Sequence, residues 1–404
     1  NGYFINSGSA LTCNLPAGVA GDIISFSDYA RNFNTYNFSV SPNGSEKIGG
    51  TDADATLDVN GQAATFVYVD STKGWVNVQN AEDTETGVVR FICASGGTET
   101  EDGDFKMHTF TGPGTFTVNG ISACTPARNI VSYLVVAGGG SGGVCGGGGG
   151  GAGGFREGKN APICTYTVSP LSAPAGIPVT VQGYPIVVGA GGAQQNPPGG
   201  TNQNGNSGSV STFGPISSAG GGGGGSFENG PSTPACRAAL TGGSGGGSGG
   251  LASPVANAGA AGNTPPTSPA QGKNGGSGQH IGGDSMAGGA GGGATAVGGN
   301  GTGQTPGPGK GAGGVGGTGA TTHISGSPLA YAGGGGGSGY GGCGTAAASP
   351  CGTGGKGGKN NSTASDAGTT NRGGGGGGGA HTGGGPNGGA GGGSGVVVIR
   401  YKFQ

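Results

Sequence analysis

Through residue 81, apolar positions alternate with polar ones: Leu11, Cys13 and Leu15, then Ile24 and Phe26, Phe38 and Val40, Leu57 and Val59, and Phe66 and Tyr68. Alternation with period two buries one face of a strand and leaves the other in water. Pro42-Asn43-Gly44 and Asn60-Gly61 fall between these runs and supply turns. The pattern predicts a small β-sandwich-like domain over residues 1–81, with Trp75 in its core because of the area an indole buries. Residues 82–104 are acidic and broken by glycine, and read as a connector with one short strand at 88–93.

From Phe105 the pattern predicts two strands about Thr111-Gly112-Pro113-Gly114, a hairpin signal. Apolar segments follow at 130–137, 165–168, 179–181, 186–188, 210–213 and 396–403. They predict a β scaffold in residues 105–137 and 396–404 whose last strand returns to pair near its first. Between 138 and 395 the period-two signal gives way to glycine runs bracketed by strands. Val135-Val136-Ala137 runs into Gly138-Gly139-Gly140, Val187-Val188 into Gly189-Ala190-Gly191-Gly192, and Ser394-Gly395 leads into Val396-Val397-Val398. No window after residue 137 is free of glycine and proline, so no α-helix is expected.

Composition sharpens this picture. Of 111 glycines in 404 residues, 16 fall in residues 1–137 and 95 in 138–395, too many for an ordinary side-chain core. Flexible linkers are padded with serine and carry no strands; here strands bracket the runs. The ordered alternative is polyglycine II, a left-handed helix with about three residues per turn and about 3.1 Å rise, whose bare backbones can pack side by side and share hydrogen bonds. The expected fold is therefore all-β plus a polyglycine II bundle, with domains 1–81 and 105–404 joined by the connector. Inserts at 155–163, 227–240 and 359–372 read as connections between rods.

Charge divides the chain as well: residues 1–104 carry 14 Asp+Glu against 4 Lys+Arg, and the rest carries 4 against 12. That spread-out polarity fits an extended surface protein better than a nucleic-acid binder, whose positive charge is clustered with aromatics. No stretch approaches the 18 or so apolar residues of a membrane span, and Asn1 opens neither a signal peptide nor an initiating methionine, the pattern of a fragment or a processed chain.

Chemical motifs are absent where catalysis would need them. GxGxxG matches arise by chance in so much glycine, and the helix a dinucleotide site requires is missing. Gly309-Lys310 and Gly355-Lys356 lack the Ser/Thr and the glycine spacing of a phosphate loop. His108, His280, His323 and His381 are scattered without partners at metal-ligand spacing, and no serine has a base nearby. The expectation is a non-enzymatic protein without cofactor or metal. Of the cysteines, Cys13 and Cys93 sit in strand patterns and are expected to be buried, Cys343 and Cys351 flank a short loop and are a disulfide candidate, and Cys124, Cys145, Cys164 and Cys236 allow three pairings. What remains for recognition is side chains at the inserts, where a rigid scaffold places binding groups. The receptor-binding candidates are Phe227, Arg237, Gln279, His280, Ile281, Met286 and Tyr340.

Gly21-Asp22-Ile23-Ile24, Val67-Tyr68-Val69-Asp70 and Lys73-Gly74-Trp75, followed by Gly114-Thr115-Phe116-Thr117-Val118 and Tyr133-Leu134-Val135-Val136-Ala137-Gly138-Gly139-Gly140, resemble the virion fibre proteins of tailed bacteriophages, especially marine ones. The resemblance implies an extracellular tail-fibre adhesin whose rod-tip loops bind an outer-membrane protein or surface glycan of the bacterial host. It also implies contact with other tail-fibre or baseplate proteins, a homotrimer formed through the first domain, and no membrane insertion. Two other readings stay open: a structural filament without receptor binding, and an ice-binding protein, which the irregular inserts disfavour.

Overall fold

The structure, a computed structural model, describes the chain apart from residues 80–90, 123–124, 196–202, 228–237, 251–257, 281–285, 304–310, 340–351, 360–363, 383–384 and 387. Two compact units emerge: Asn1–Cys93 with Gly120–Asn129 and Gln404, and Ala94–Asn119 with Ile130–Phe403. Among the described residues the only helical turn is a 3-10 turn at Pro126–Asn129.

In the first unit the alternating segments become β1 (Gly2–Ile5), β2 (Leu11–Asn14), β3 (Ile23–Asp28), β4 (Phe38–Ser41), β5 (Ala55–Leu57), β6 (Ala63–Asp70) and β7 (Gly74–Asn77). One sheet has the order β1-β3-β6-β7 and the other β2-β4-β5. Their inward positions share one core of Ile24, Phe26, Phe66, Phe38, Val40 and Leu57, with Phe33, Ile48 and Trp75. Phe26 lies 5.0 Å from Phe38 and 6.3 Å from Phe66, ring centroid to ring centroid. Trp75 is buried as expected; its indole N–H donates to Glu46 Oε2 at 3.3 Å and its ring meets the Tyr68 ring edge-on.

The second unit contains, wholly or, for β8 and β11, in all but one terminal residue, β8 (Cys93–Ser95), β9 (Thr98–Asp102), β10 (Phe105–Phe110), β11 (Gly114–Gly120), β12 (Ile130–Val136), β13 (Phe155–Gly158), β14 (Ser172–Ala173), β15 (Ile177–Pro178), β16 (Gly183–Val187), β17 (Ser211–Phe213), β18 (Ile216–Ser218) and a closing strand, Val396–Lys402. The closing strand lies between β12 and β10, antiparallel to both, with Val135 opposite Val397 and His108 opposite Ile399. The chain therefore does return to its first scaffold strands.

Several expectations change here. β10 and β11 do not form a hairpin: β10 joins the sheet β14-β13-β12-closing strand-β10-β9, while β11 joins β18-β17-β16-β11-β8, so the glycine-rich turn passes the chain between sheets. Part of the expected connector is scaffold, since β9 pairs with β10 in spite of its charges, which stand on a fully exposed edge strand. Segments 165–168 and 179–181 are not strands. Cys93 is exposed because β8 turns Ala94 inward and Cys93 outward. Cys145 and Cys164 are buried free thiols, which removes every pairing that used them; Cys124 and Cys236 lie outside the described residues.

Between the strands the glycine runs are ordered by a period-three hydrogen-bond pattern. In residues 138–144, the N–H groups of Gly138, Ser141 and Val144 donate to Ser209, Asn206 and Gln203 carbonyls, those of Gly139 and Gly142 to Gly393 and Ala390, and those of Gly140 and Gly143 to Gly151 and Gly148. Bonds that recur every third residue in three directions define a rod of three residues per turn with a neighbour on each face, which is the polyglycine II arrangement. Residues 147–154 repeat it: Gly147, Gly150 and Gly153 donate to Gly379, Gly376 and Gly373, while Gly148, Gly151 and Gly154 donate to Gly225, Gly222 and Ala219. Both rods are buried along their length.

Glycine is needed because the backbones touch. A Cβ built on Gly150 would lie 2.1 Å from the Gly140 oxygen. Other residues enter only where space or a partner exists. Ala152 and Ala294 pack in the cluster that contains Phe155 and Tyr331. The Ser141 and Ser248 hydroxyls accept N–H bonds from Asn206 and Gly278 at 2.7 and 2.6 Å.

Candidate functional site: the far end of the rod bundle

The two central rods are joined by a reversal in which Cys145 and Gly146 take positive φ, 55° and 66°. This reversal marks the end of the bundle away from the β scaffold. Other rods end at the same level. The Phe227 and Gly250 N–H groups donate to the Cys145 and Gly146 carbonyls, both at 3.1 Å, Ser338 N–H to Gly147 at 3.1 Å, and Val144 N–H to Gln203 at 3.1 Å. Short ladders complete this end: Gln279–His280 with Met286–Ala287, Thr302–Gly303 with Gly311–Ala312, and His381–Thr382 with Gly385–Pro386. Bridges tie Ala287 to Gly339, Gly339 to Lys359, and Gln195 to Gly389. The described residues that lead into 196–202, 228–237, 251–257, 281–285, 304–310, 340–351, 360–363 and 383–384 thus converge on one end.

The structure divides the receptor-binding candidates. Phe227 and Met286 are 6% and 5% exposed and pack with Val144 and Cys145 in a small apolar plug that seals the rod ends. They are packing residues, not a presented surface, because a glycine bundle has no side chains of its own to close its end. Gln279 is half-buried in its ladder, and His280 holds the position opposite Met286. Arg237, Ile281 and Tyr340, and the candidate pair Cys343 and Cys351, lie outside the described residues. The plug's partner residues were missed in sequence, although Val144-Cys145 is the one apolar interruption of the run from Gly138 to Gly151.

At the scaffold end the inserts serve packing. The stretch beginning at Phe155 is β13, with Phe155 and Glu157 buried. Glu157 accepts bonds from Ser169 N–H at 2.9 Å and from the Thr322 hydroxyl, and burial pushes its carboxyl above the usual range. Arg400 is buried between the Phe105 and Tyr166 rings and pairs with Asp102 at 2.8 Å. It lines a cleft of about 290 Å³ with Asp102, Thr165, Thr167 and His323. His108 is enclosed, its Nδ1 2.7 Å from the Gly96 carbonyl and its Nε2 2.9 Å from the Tyr401 hydroxyl; burial lowers its pKa from 6.5 and favours the neutral ring. Arg372 stacks on Tyr331 at 4.9 Å. Glu157, Arg400, His108 and Arg372 thus each have a structural partner. Among the described residues no three His, Cys, Asp or Glu side chains gather as a metal-ligand set.

Rods of bare backbone, held at one end by β-sheets and closed at the other by a side-chain plug, define a polyglycine bundle on a β scaffold. Residues 109–402 match the glycine-rich domain family, and the chain belongs to it. A comparison with curated proteins finds no match.

Proposed function

We propose that this protein is a non-enzymatic adhesin of the virion tail-fibre type, which uses the bundle to hold receptor-binding loops against the surface of a bacterial host. The observation that carries the reading is convergence: the rod residues flanking the long inserts meet at the far end of the bundle. Rods without side chains can do little chemistry, but they can fix loop anchors at low entropic cost on binding. The partner class is an outer-membrane protein or a surface glycan, with other tail-fibre or baseplate proteins holding the fibre, and the place of action is outside the cell, on the virion.

Burial of Phe227 and Met286 sets the design of the test. Segments 228–237, 281–285 and 340–351 are exchanged one at a time for Gly/Ser stretches of equal length, leaving the plug intact, and adsorption of the assembled virion to host cells is measured. At least one exchange is expected to reduce adsorption about tenfold or more with the fold retained, the loss of about 1.4 kcal/mol of contact energy. Full adsorption by every exchange variant would favour a purely structural fibre.

A further inference from the structure

The edge strand β1 leaves half of its backbone unpaired. Its ladder with β3 is parallel, with Gly2 opposite Ser25 and Tyr3 opposite Phe26, and the Asn1 and Ile5 carbonyls accept from Ser25 and Tyr29 at 2.8 and 3.0 Å. Alternate residues turn toward the partner strand, so the N–H and C=O groups of Gly2 and Phe4 point out of the sheet. Neither residue has a hydrogen-bond partner among the described residues. Natural proteins blunt such edges with charge, proline or a bulge. This edge shows none of these: residues 1–21 hold no Asp, Glu, Lys or Arg side chain and residues 1–15 no proline, in a unit that is otherwise strongly acidic, and the ladder with β3 runs without a register shift.

The side chains add a matching shape. Tyr3 lies on the inner face, stacked on Phe26 at 5.8 Å. Gly2 and Phe4 lie on the outer face beside Ser25 and Ser27, and Phe4 is 77% exposed. A Cβ on Gly2 would meet nothing within 4 Å. Gly2, Phe4, Ser25, Ser27, Ala63 and Thr65 border a shallow cavity of about 210 Å³. One strand therefore carries an aromatic knob and, two residues away, an uncovered glycine.

We propose that β1 pairs with β1 of a second copy of this chain, antiparallel about a two-fold axis between the two Tyr3 residues. Gly2 then faces Phe4 of the second copy, and each pair exchanges both of its N–H···O=C bonds, which satisfies all the outward backbone groups. Directly opposite residues share a face, so Phe4 of the second copy covers Gly2 and fills the cavity over Ser25 and Thr65, and the reverse holds across the axis. A two-fold contact requires a self-complementary surface, and the knob and hole supply one. β1 itself carries no carboxylate, so two acidic units can meet along it without opposing carboxylates from this strand. Because the contact is small, the pairing is weak and reversible.

Sedimentation velocity of the full chain over a concentration series tests this pairing. The expected result is a concentration-dependent dimer that Phe4→Lys weakens at least about tenfold, with melting temperature and far-UV spectrum unchanged because Phe4 is exposed. Gly2→Val, which blocks the seat of the ring, is expected to weaken it as well, and Val59→Lys, at another exposed apolar site, to leave it intact. A monomer at every concentration, a dimer insensitive to both Phe4→Lys and Gly2→Val, or the trimer implied by the fibre resemblance would overturn it. Should Phe4→Lys disturb the fold, Phe4→Ser takes its place with the same expected outcome.

Discussion

Gly150→Ala is expected to destabilise the second unit by about 3 kcal/mol, the upper part of the range for overpacked cores, and to lower its melting temperature by roughly 5 °C or more. The reason is that the neighbour of the new methyl is backbone. Its carbon would sit 2.1 Å from the Gly140 oxygen, and Gly140 of that neighbouring rod donates its own N–H to Gly151, beside the substituted position. A side chain in that place could rotate away, whereas a rod can move only by breaking bonds to its neighbours. Gly112→Ala is the control, since a Cβ there meets nothing within 4 Å, and it should change the melting temperature little. Equal behaviour of the two variants in a calorimetric scan would mean that the rods are not packed as described.

Phe66→Ala should cost the first unit about 3–5 kcal/mol, a large part of the about 5–15 kcal/mol that keeps a domain folded. Phe66 is fully buried between the sheets and touches Phe26, so its removal leaves a cavity that strands fixed by hydrogen bonds cannot collapse into. Trp75, the only tryptophan in the chain, lies in the same core and reports unfolding by fluorescence. The midpoint in urea is expected to fall sharply while the second unit's calorimetric transition stays in place. A shift below about 1 kcal/mol would show that this core is looser than its burial indicates.

The strands of the first unit were legible because a half-buried sheet imposes period two, and Ile24/Phe26 and Phe38/Val40 display it plainly. The closing strand was legible too, since the unbroken apolar run Val396-Val397-Val398-Ile399 suits a strand buried on both faces, and it is so buried, in the sheet interior with β12 and β10 as its neighbours. The rods were legible as a kind of structure but not as a register. Bare glycine carries no side-chain pattern to say that Gly139 meets Gly393 or that Gly149 meets Gly289. The failed hairpin at Thr111-Gly112-Pro113-Gly114 shows the limit of turn chemistry: a turn signal fixes the local bend, while the partners of Phe110 and Phe116 are chosen by distant strands. At the far end, Phe227 and Met286 were singled out because they are large side chains in a glycine-rich setting. The same contrast suits a plug, and burial decides for it.

The account depends on the glycine rods being an ordered, mutually hydrogen-bonded bundle, and hydrogen exchange of the intact protein read by mass spectrometry tests it most directly. Peptides covering residues 138–154 should exchange as slowly as those covering β12, because their amides are buried and bonded to rods on three sides. Exchange of those glycine amides at the rate of an unstructured chain, with β12 still protected, would contradict it.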